Sequence, residues 1–455
     1  LRKRQADVLK PIPPKGVPPV RFPGAELKLE DGDPFYPPAS KAVRLNESQL
    51  FELRLQLEYY LERGFIRPSD SAYATPVFFV PKPHTHPVKW RMACDYRLLN
   101  AIVRRDQYPL PAVEQIIDVL KGAKIFSKLD LSQYFHQIPV AEKSIHKTAI
   151  TTRYGNFEWL VVPFGIHNAP AIAQRVANVI FHDFLDHFIV IFMDDILVFS
   201  KDVASHERHL DQLFTKMREW SLVAHPDKCE FFRTSVEYLG LGIHEDGVFI
   251  TEATKKAIMT WELPKPNQVN KKQNRRANPD GKTAIRTFLG MVSFFRKFIP
   301  RLSERAYPIS KLLDPSYTFA DWGDEQNAAF KDLQEALLSS ECLMIPDTSK
   351  KFVIYPDASE VGVGGVLMQE DPVTNLLRPC AYMSSKLSKQ QKNRGAYQTE
   401  LWALVKSLMV WKHYLCGSSV EIRTDHQSLQ FFKSQSKLTG KVLRWLDFLS
   451  EFDLT

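Results

Sequence analysis

Asp194 and Asp195 stand side by side within I-V-I-F-M-D-D-I-L-V-F-S (residues 189–200), with apolar, strand-like runs on both sides. An unpaired buried charge costs several kcal/mol, and adjacent carboxylates oppose each other's ionisation. The pair therefore requires either an exposed hairpin tip, where Asp is common, or a cation. A third carboxylate, Asp130, closes another strand-like run, A-K-I-F-S-K-L-D. Two strands that each bring Asp to one edge build a hard oxygen site of the kind Mg²⁺ takes. Two such ions ~4 Å apart activate an attacking hydroxyl and stabilise a leaving phosphate. Phosphoryl transfer is the chemistry these residues suit best.

A second set lies nearer the C-terminus. Asp357 follows the strand-like K-F-V-I-Y, Glu400 opens a helical pattern, and Asp425 ends V-E-I-R-T-D. Each alone reads as a cap or strand-end acid, but the three together again suit a two-metal arrangement. His206 and His209 in H-E-R-H are three apart on a helical pattern. With no further ligand nearby they make a poor zinc site, which wants three or four protein ligands.

The elements that must position these groups follow from periodicity. Nine prolines within residues 1–40 exclude a sustained helix there and predict an extended arm. Helical spacing covers 46–64 and ends at Gly64, and a second glycine-closed helix covers 110–122. Strands are expected at 77–80 and 123–131, and helices at 171–185 and 205–220. Residues 265–286 hold seven Lys/Arg, one Asp and almost no apolar residue, which predicts a solvated basic loop, with phosphate contact or a localisation signal as the alternative reading. Helical patterns resume at 285–313 and 325–338. Strands at 351–355 and 361–368, a helix at 399–415 and a strand at 420–425 complete a second α+β module.

Composition bounds the rest. Of 455 residues, 44% are hydrophobic and 25% charged, which excludes a disordered chain and allows real cores. The net charge of +8 fits a polyanionic partner. Five scattered cysteines without a C-x-x-C pair argue against a disulfide framework or a thiolate zinc site and suit a reducing compartment. No apolar run approaches the ~18 residues of a membrane span. The opening on Leu1 predicts a piece of a longer polypeptide.

The motifs, taken in order, resemble the reverse transcriptase–RNase H region of a gypsy-type LTR retrotransposon Pol polyprotein. W-R-M-A-C-D-Y-R-L-L-N (90–100) resembles the family's fingers motif, and L-D-L-S-Q-Y-F-H-Q-I its first palm motif. V-P-F-G-I-H-N-A-P-A (162–171) and F-M-D-D-I-L-V-F-S resemble the template-side loop and the double-Asp hairpin. H-P-D-K-C-E-F, Y-L-G and F-L-G-M-V-S-F-F-R-K-F-I-P (288–300) complete the series.

The resemblance implies a right-hand polymerase followed by a C-terminally incomplete RNase H-like domain, α+β throughout. It divides the chain into an arm (1–43), fingers and palm (44–243), thumb and connection (244–345) and the RNase H-like domain (346–455). Asp130, Asp194 and Asp195 would ligate two Mg²⁺ or Mn²⁺ ions. Arg91 and Lys82 would hold a dNTP, although a surface strand arginine remains an alternative reading of Arg91. Phe135 would exclude a ribose 2′-OH, or else simply fill core. Gln174 would lie under the template–primer, Leu239 and Gly240 in the primer grip. Lys228 would assist pyrophosphate departure, or be an ordinary loop lysine.

Asp357, Glu400 and Asp425 would bind the metals of the RNase H module, whose fourth acid falls beyond Thr455. The implied partners are an RNA template, a DNA or RNA primer, the RNA–DNA hybrid, dNTPs and the protease and integrase of the parent polyprotein. No membrane is implied. The implied setting is a cytoplasmic virus-like particle, with the nucleus as an alternative.

Three positions depart from the family pattern. Tyr134 replaces a small residue before Phe135 and is expected to crowd nucleotide or template. Phe192 replaces a tyrosine, and Pro356 removes an N–H beside Asp357. These departures keep a second reading open, a decayed copy that only binds nucleic acid.

Overall fold

The computed structural model describes residues 5–19, 24–30, 37–81, 90–261, 282–318, 321–392, 395–425 and 440–455. Lys82 and most of the basic stretch 265–286 lie outside them. The chain divides into two compact units, Leu1–Val236 and Glu237–Thr455, both of mixed helices and sheets.

In the first unit, the helix Glu47–Arg63 is started by Asn46, whose side chain accepts from the Gln49 N–H (2.9 Å) while the Gln49 amide accepts from the Asn46 N–H (3.2 Å). Gly64 stops it at φ 67°. A five-stranded sheet runs in the order Ile66–Pro68, Gly155–Trp159, Ile150–Thr152, Thr75–Pro81, Trp90–Cys94. A four-stranded antiparallel sheet runs Ile189–Phe192, Asp195–Ser200, Ile125–Asp130, Glu230–Arg233. The helices Ala169–Ile180 and Val203–Glu219 pack on this second sheet through Val176, Ile180, Leu210 and Phe214, all buried. Their apolar stripes recur at helical spacing, which is why the sequence alone located them.

The described residues of the proline-rich arm form no helix beyond a single turn at Gln5–Leu9, and they are docked. Val8 and Leu9 are buried, and Leu9 pairs with Ala224 as an isolated bridge. The Ala224 N–H donates to the Val8 carbonyl (2.9 Å), the Ser132 hydroxyl donates to the Lys10 carbonyl (2.6 Å), and Arg218 holds Asp7 in an ion pair. The arm is therefore part of the first unit's core.

In the second unit, the expected 285–313 helix is broken into Lys282–Phe294 and the short turns Arg296–Phe298, Leu302–Arg305 and Tyr307–Ser310. Pro300 and Pro308 lack the N–H a continuous helix needs, so the pattern is helical while the backbone cannot be. The helix Asp324–Leu338 follows. A five-stranded sheet has the order Leu377–Lys386, Gly362–Glu370, Phe352–Ala358, Ser419–Ile422, Asp453–Leu454. The helix Ala396–Leu415 packs on it so closely that a Cβ on Gly365 would meet Ser407 Oγ at 2.5 Å.

Candidate active site

The first carboxylate cluster forms where two antiparallel strands end together. Asp130 pairs with Asp195 across the sheet, and Phe192 with Asp195 within the hairpin, leaving Met193 and Asp194 as its two-residue turn. Met193 takes the left-handed region (φ 54°), a strained choice for a long side chain. The Leu131 N–H donates to the Asp194 carbonyl (2.9 Å), tying the end of one strand to the turn of the other. Three carboxylates thus reach one sheet edge.

Burial pushes the Asp194 and Asp195 carboxyls above the usual carboxylate range, and neighbouring aspartates push in the same direction. Two lysines oppose this. Lys228 Nζ lies 3.1 Å from both Asp130 oxygens, and Lys128 Nζ 3.7 Å from Asp195 Oδ1. Among the described residues no three His, Cys, Asp or Glu side chains already converge as a ligand set; Asp130 and Asp195 are each turned to a lysine. The donor set nonetheless fits a hard divalent ion, being all carboxylate oxygen at one edge and short of positive charge.

Gln174 differs from expectation. It is 1% exposed, so it cannot face a template. Its Oε1 accepts the Met193 N–H (2.8 Å) and its Nε2 donates to the Ile191 carbonyl (3.1 Å) and Asn178 Oδ1 (2.9 Å). It braces the strained hairpin turn from behind. Tyr134 also differs. Its ring is buried in the core and its hydroxyl donates to the Ala173 carbonyl (3.1 Å), in space that a small residue at 173 leaves open. The expected crowding of the nucleotide is replaced by packing, because the short 3₁₀ turn Tyr134–Gln137 aims this side chain inward.

Phe135 is half-buried and meets Phe164 edge-to-face at 5.3 Å. Arg91 is exposed on the edge strand Trp90–Cys94, opposite Val80. Leu239 and Gly240 form a turn with φ 51° and 80°.

His206 and His209 serve structure rather than zinc. The fully buried His206 ring bonds Ser127 Oγ through Nε2 (2.7 Å) and Ser200 Oγ through Nδ1 (2.8 Å), while His209 Nδ1 meets the same Ser200 Oγ (2.8 Å). Burial pushes His206 down to about 4.

Sequence reasoning missed Lys128 and this histidine clamp. Lys128 had a usable signal, since it lies two residues before Asp130 and so on the same strand face.

The second carboxylate set gathers differently. Ile354 and Ile422 are partners on parallel strands, and Asp357 and Asp425 each follow by three residues, so both sit at the same strand ends. The helix Ala396–Leu415 returns to the sheet through Cys416–Ser418, which places its first turns, with Glu400, at those same ends. Arg301 holds Asp357 at 2.5 Å.

Pro356 disturbs little. The Arg423 N–H donates to the Ile354 carbonyl (2.9 Å), so positions 354 and 356 turn their backbone groups toward the Ser419–Ile422 strand, past its last pair. The missing N–H removes no bond to Gly362–Glu370.

Comparison with known proteins agrees with this arrangement. Residues 80–243 match the family model "Reverse transcriptase (RNA-dependent DNA polymerase)", and residues 322–422 match "RNase H-like domain found in reverse transcriptase". The chain is 33% identical over 428 residues to the retrovirus-related Pol polyprotein from transposon 297 of Drosophila melanogaster, covering 94% of this chain and 38% of that protein. It is 33% identical over 435 residues to the transposon Tf2-3 polyprotein of Schizosaccharomyces pombe, covering 94% of this chain and 31% of that protein. The chain thus spans about a third of the length of the curated relatives it matches.

Among solved structures, a foamy viral protease-reverse transcriptase in complex with double-stranded DNA superposes with a TM-score of 0.82 at 21% identity, covering 100% of this chain and 76% of that one. The same viral protein with an RNA/DNA hybrid gives 0.75 at 21% identity, covering 100% and 59%. These likenesses establish a shared fold. By its two domain matches and its transposon relatives, the chain belongs to the reverse transcriptase–RNase H region of retrotransposon Pol polyproteins.

Proposed function

We propose that the chain is an RNA-directed DNA polymerase that transfers nucleotides from dNTPs to a primer 3′-hydroxyl at Asp130, Asp194 and Asp195. The observation that carries this reading is the register: Asp130 faces Asp195 across adjacent strands, and Asp194 sits in the hairpin turn that leads into the Asp195 strand. Two Mg²⁺ or Mn²⁺ ions held by these carboxylates would supply activation of the primer hydroxyl and neutralisation of the leaving pyrophosphate.

The chain's own residues do the remaining work. Gln174 fixes the Met193 turn and so the direction of Asp194. Lys228, 60% exposed and already at Asp130, is free to swing toward a departing pyrophosphate. Arg91 offers a guanidinium fork to the triphosphate, and Lys82, outside the described residues, is the second cation assigned to it. Phe135, braced edge-on by Phe164, presents a ring that excludes a 2′-hydroxyl. The left-handed turn at Leu239–Gly240 suits close approach of a primer backbone.

Residues 44–243 then serve as fingers and palm, 244–345 as thumb and connection, and 346–455 as an incomplete RNase H-like module, whose Asp357, Glu400 and Asp425 would cleave the RNA of a hybrid in the full-length polyprotein. Template–primer and RNA–DNA hybrid are the nucleic-acid partners, held mainly through phosphates and therefore salt-sensitive. The protease and integrase of the parent polyprotein are its protein partners, and free cysteines throughout suit a cytoplasmic particle.

The rival reading, a remnant that binds nucleic acid without chemistry, drew on Tyr134 as an obstruction, and that argument weakens with the ring buried. Primer extension on poly(rA)–oligo(dT) with Mg²⁺ or Mn²⁺, beside Asp194→Asn, decides between them. Metal-dependent extension lost in the variant supports the polymerase. Salt-sensitive hybrid binding without extension supports the remnant.

A further inference from the structure

We propose that Lys128 is a positioning residue of the polymerase site that holds Asp195 and competes with divalent ions for it, so setting how much ion the site requires. This rests on the reading that Asp130, Asp194 and Asp195 hold those ions.

The geometry comes from strand register. Lys128 pairs with Leu197 and Asp130 with Asp195, which makes Lys128 and Asp195 a diagonal cross-strand pair, within reach of a long side chain. Lys128 and Asp130 share one face because they are two apart. The Lys128 ammonium lies 3.7 Å from Asp195 Oδ1, and its side chain is only 23% exposed. Lys228 meets Asp130 with a side chain 60% exposed.

The two lysines are thus not equivalent. Lys228 can move into water when positive charge arrives from elsewhere. Lys128 is anchored on the strand that carries Asp130, and its largely covered side chain keeps the ammonium beside Asp195. It offsets repulsion among the three carboxylates, and it repels any cation placed on Asp195. Both effects follow from one charge and have opposite consequences for stability and for ion affinity.

The test uses the whole chain and Mn²⁺ alone, followed by titration calorimetry and by thermal melting, in wild type, Lys128→Met, Lys128→Arg and Asp195→Asn. Lys128→Met is expected to bind Mn²⁺ at least about fivefold more tightly, to melt lower without ion, and to gain more on its addition. Lys128→Arg should stay near wild type. In primer extension the half-saturating Mg²⁺ concentration should fall by a similar factor, with the dNTP KM unchanged. A folded Lys128→Met protein that binds Mn²⁺ equally or more weakly overturns the proposal. Should that variant fail to fold, Lys128→Gln replaces it under the same criteria. Mn²⁺ bound by wild type, lost in Asp195→Asn and unchanged in Lys128→Met overturns the Lys128 role alone. Mn²⁺ bound by neither wild type nor Asp195→Asn overturns the ion-binding aspartates as well.

Discussion

The two acidic clusters solve the same electrostatic problem with different backbones. At the first, a hairpin and its neighbouring strand bring Asp130, Asp194 and Asp195 to one edge, half-buried, with lysines from the same unit against them. At the second, Asp357 and Asp425 leave the ends of parallel strands and Glu400 comes from a returning helix. Asp357 is 43% exposed and paired with Arg301. The hairpin cluster lies in lower dielectric, so Asp194 and Asp195 are driven up by burial and by neighbouring aspartates. A buried cluster depends on precise support behind it, whereas an exposed one tolerates looser partners. Gln174, Tyr134 and His206 are that support.

The largest expected effect tests whether the clusters act separately. Asp194→Asn should lower primer extension by about 10³-fold or more, from loss of an ion ligand, while hybrid binding changes less than about threefold in a filter assay. Equal loss in Asp357→Asn would break the separation.

Next is Tyr134. Tyr134→Gly should cost about 3–5 kcal/mol by emptying a buried site and should not restore or improve extension; chemical denaturation measures the first and single-turnover extension the second. Gain of activity would return Tyr134 to the nucleotide's path.

Gln174→Ala should cost about 1–3 kcal/mol by leaving the Met193 N–H and Ile191 carbonyl unpaired, and should lower kcat more than it raises the dNTP KM. An unchanged kcat would show that the turn holds without its brace.

Acid should separate the two units. Burial lowers His206 and His136 to about 4, below the ~6.5 of an unfolded chain. Their neutral forms stabilise the fold above pH 6.5, and that contribution is lost as pH falls from about 6.5 toward 4. Melting between pH 7.5 and 4.5 should show the first unit failing before the second, and His206→Gln should flatten the slope. The smallest effect is Arg301→Ala, which removes a solvent-exposed ion pair and should change stability by under about 1 kcal/mol.

Much of the hairpin cluster was legible in sequence because its causes are local. Strand alternation around Asp130 and the apolar runs beside Asp194–Asp195 fix which strand end each carboxylate takes, whereas their meeting needs the pairing of strands distant in sequence. The broken 285–313 helix was legible only in part, since its apolar spacing is helical while its prolines interrupt the backbone. The direction of Tyr134 and the role of Gln174 were not legible. Both depend on a helix that packs across the hairpin, and a propensity reading cannot tell a buried amide that caps a turn from one that faces a ligand.

What the sequence by itself determined is the set of elements and the carboxylates they carry, because backbone periodicity and short-range sterics act within a few residues. What only the tertiary structure decided is which charges meet. Lys228 reaches Asp130 across 98 residues of chain, Arg301 reaches Asp357, and Glu400 joins two strand ends through the return of its helix. Coulombic partners are chosen by distance in space, and that distance exists only once the sheets have formed and the helices have closed over them.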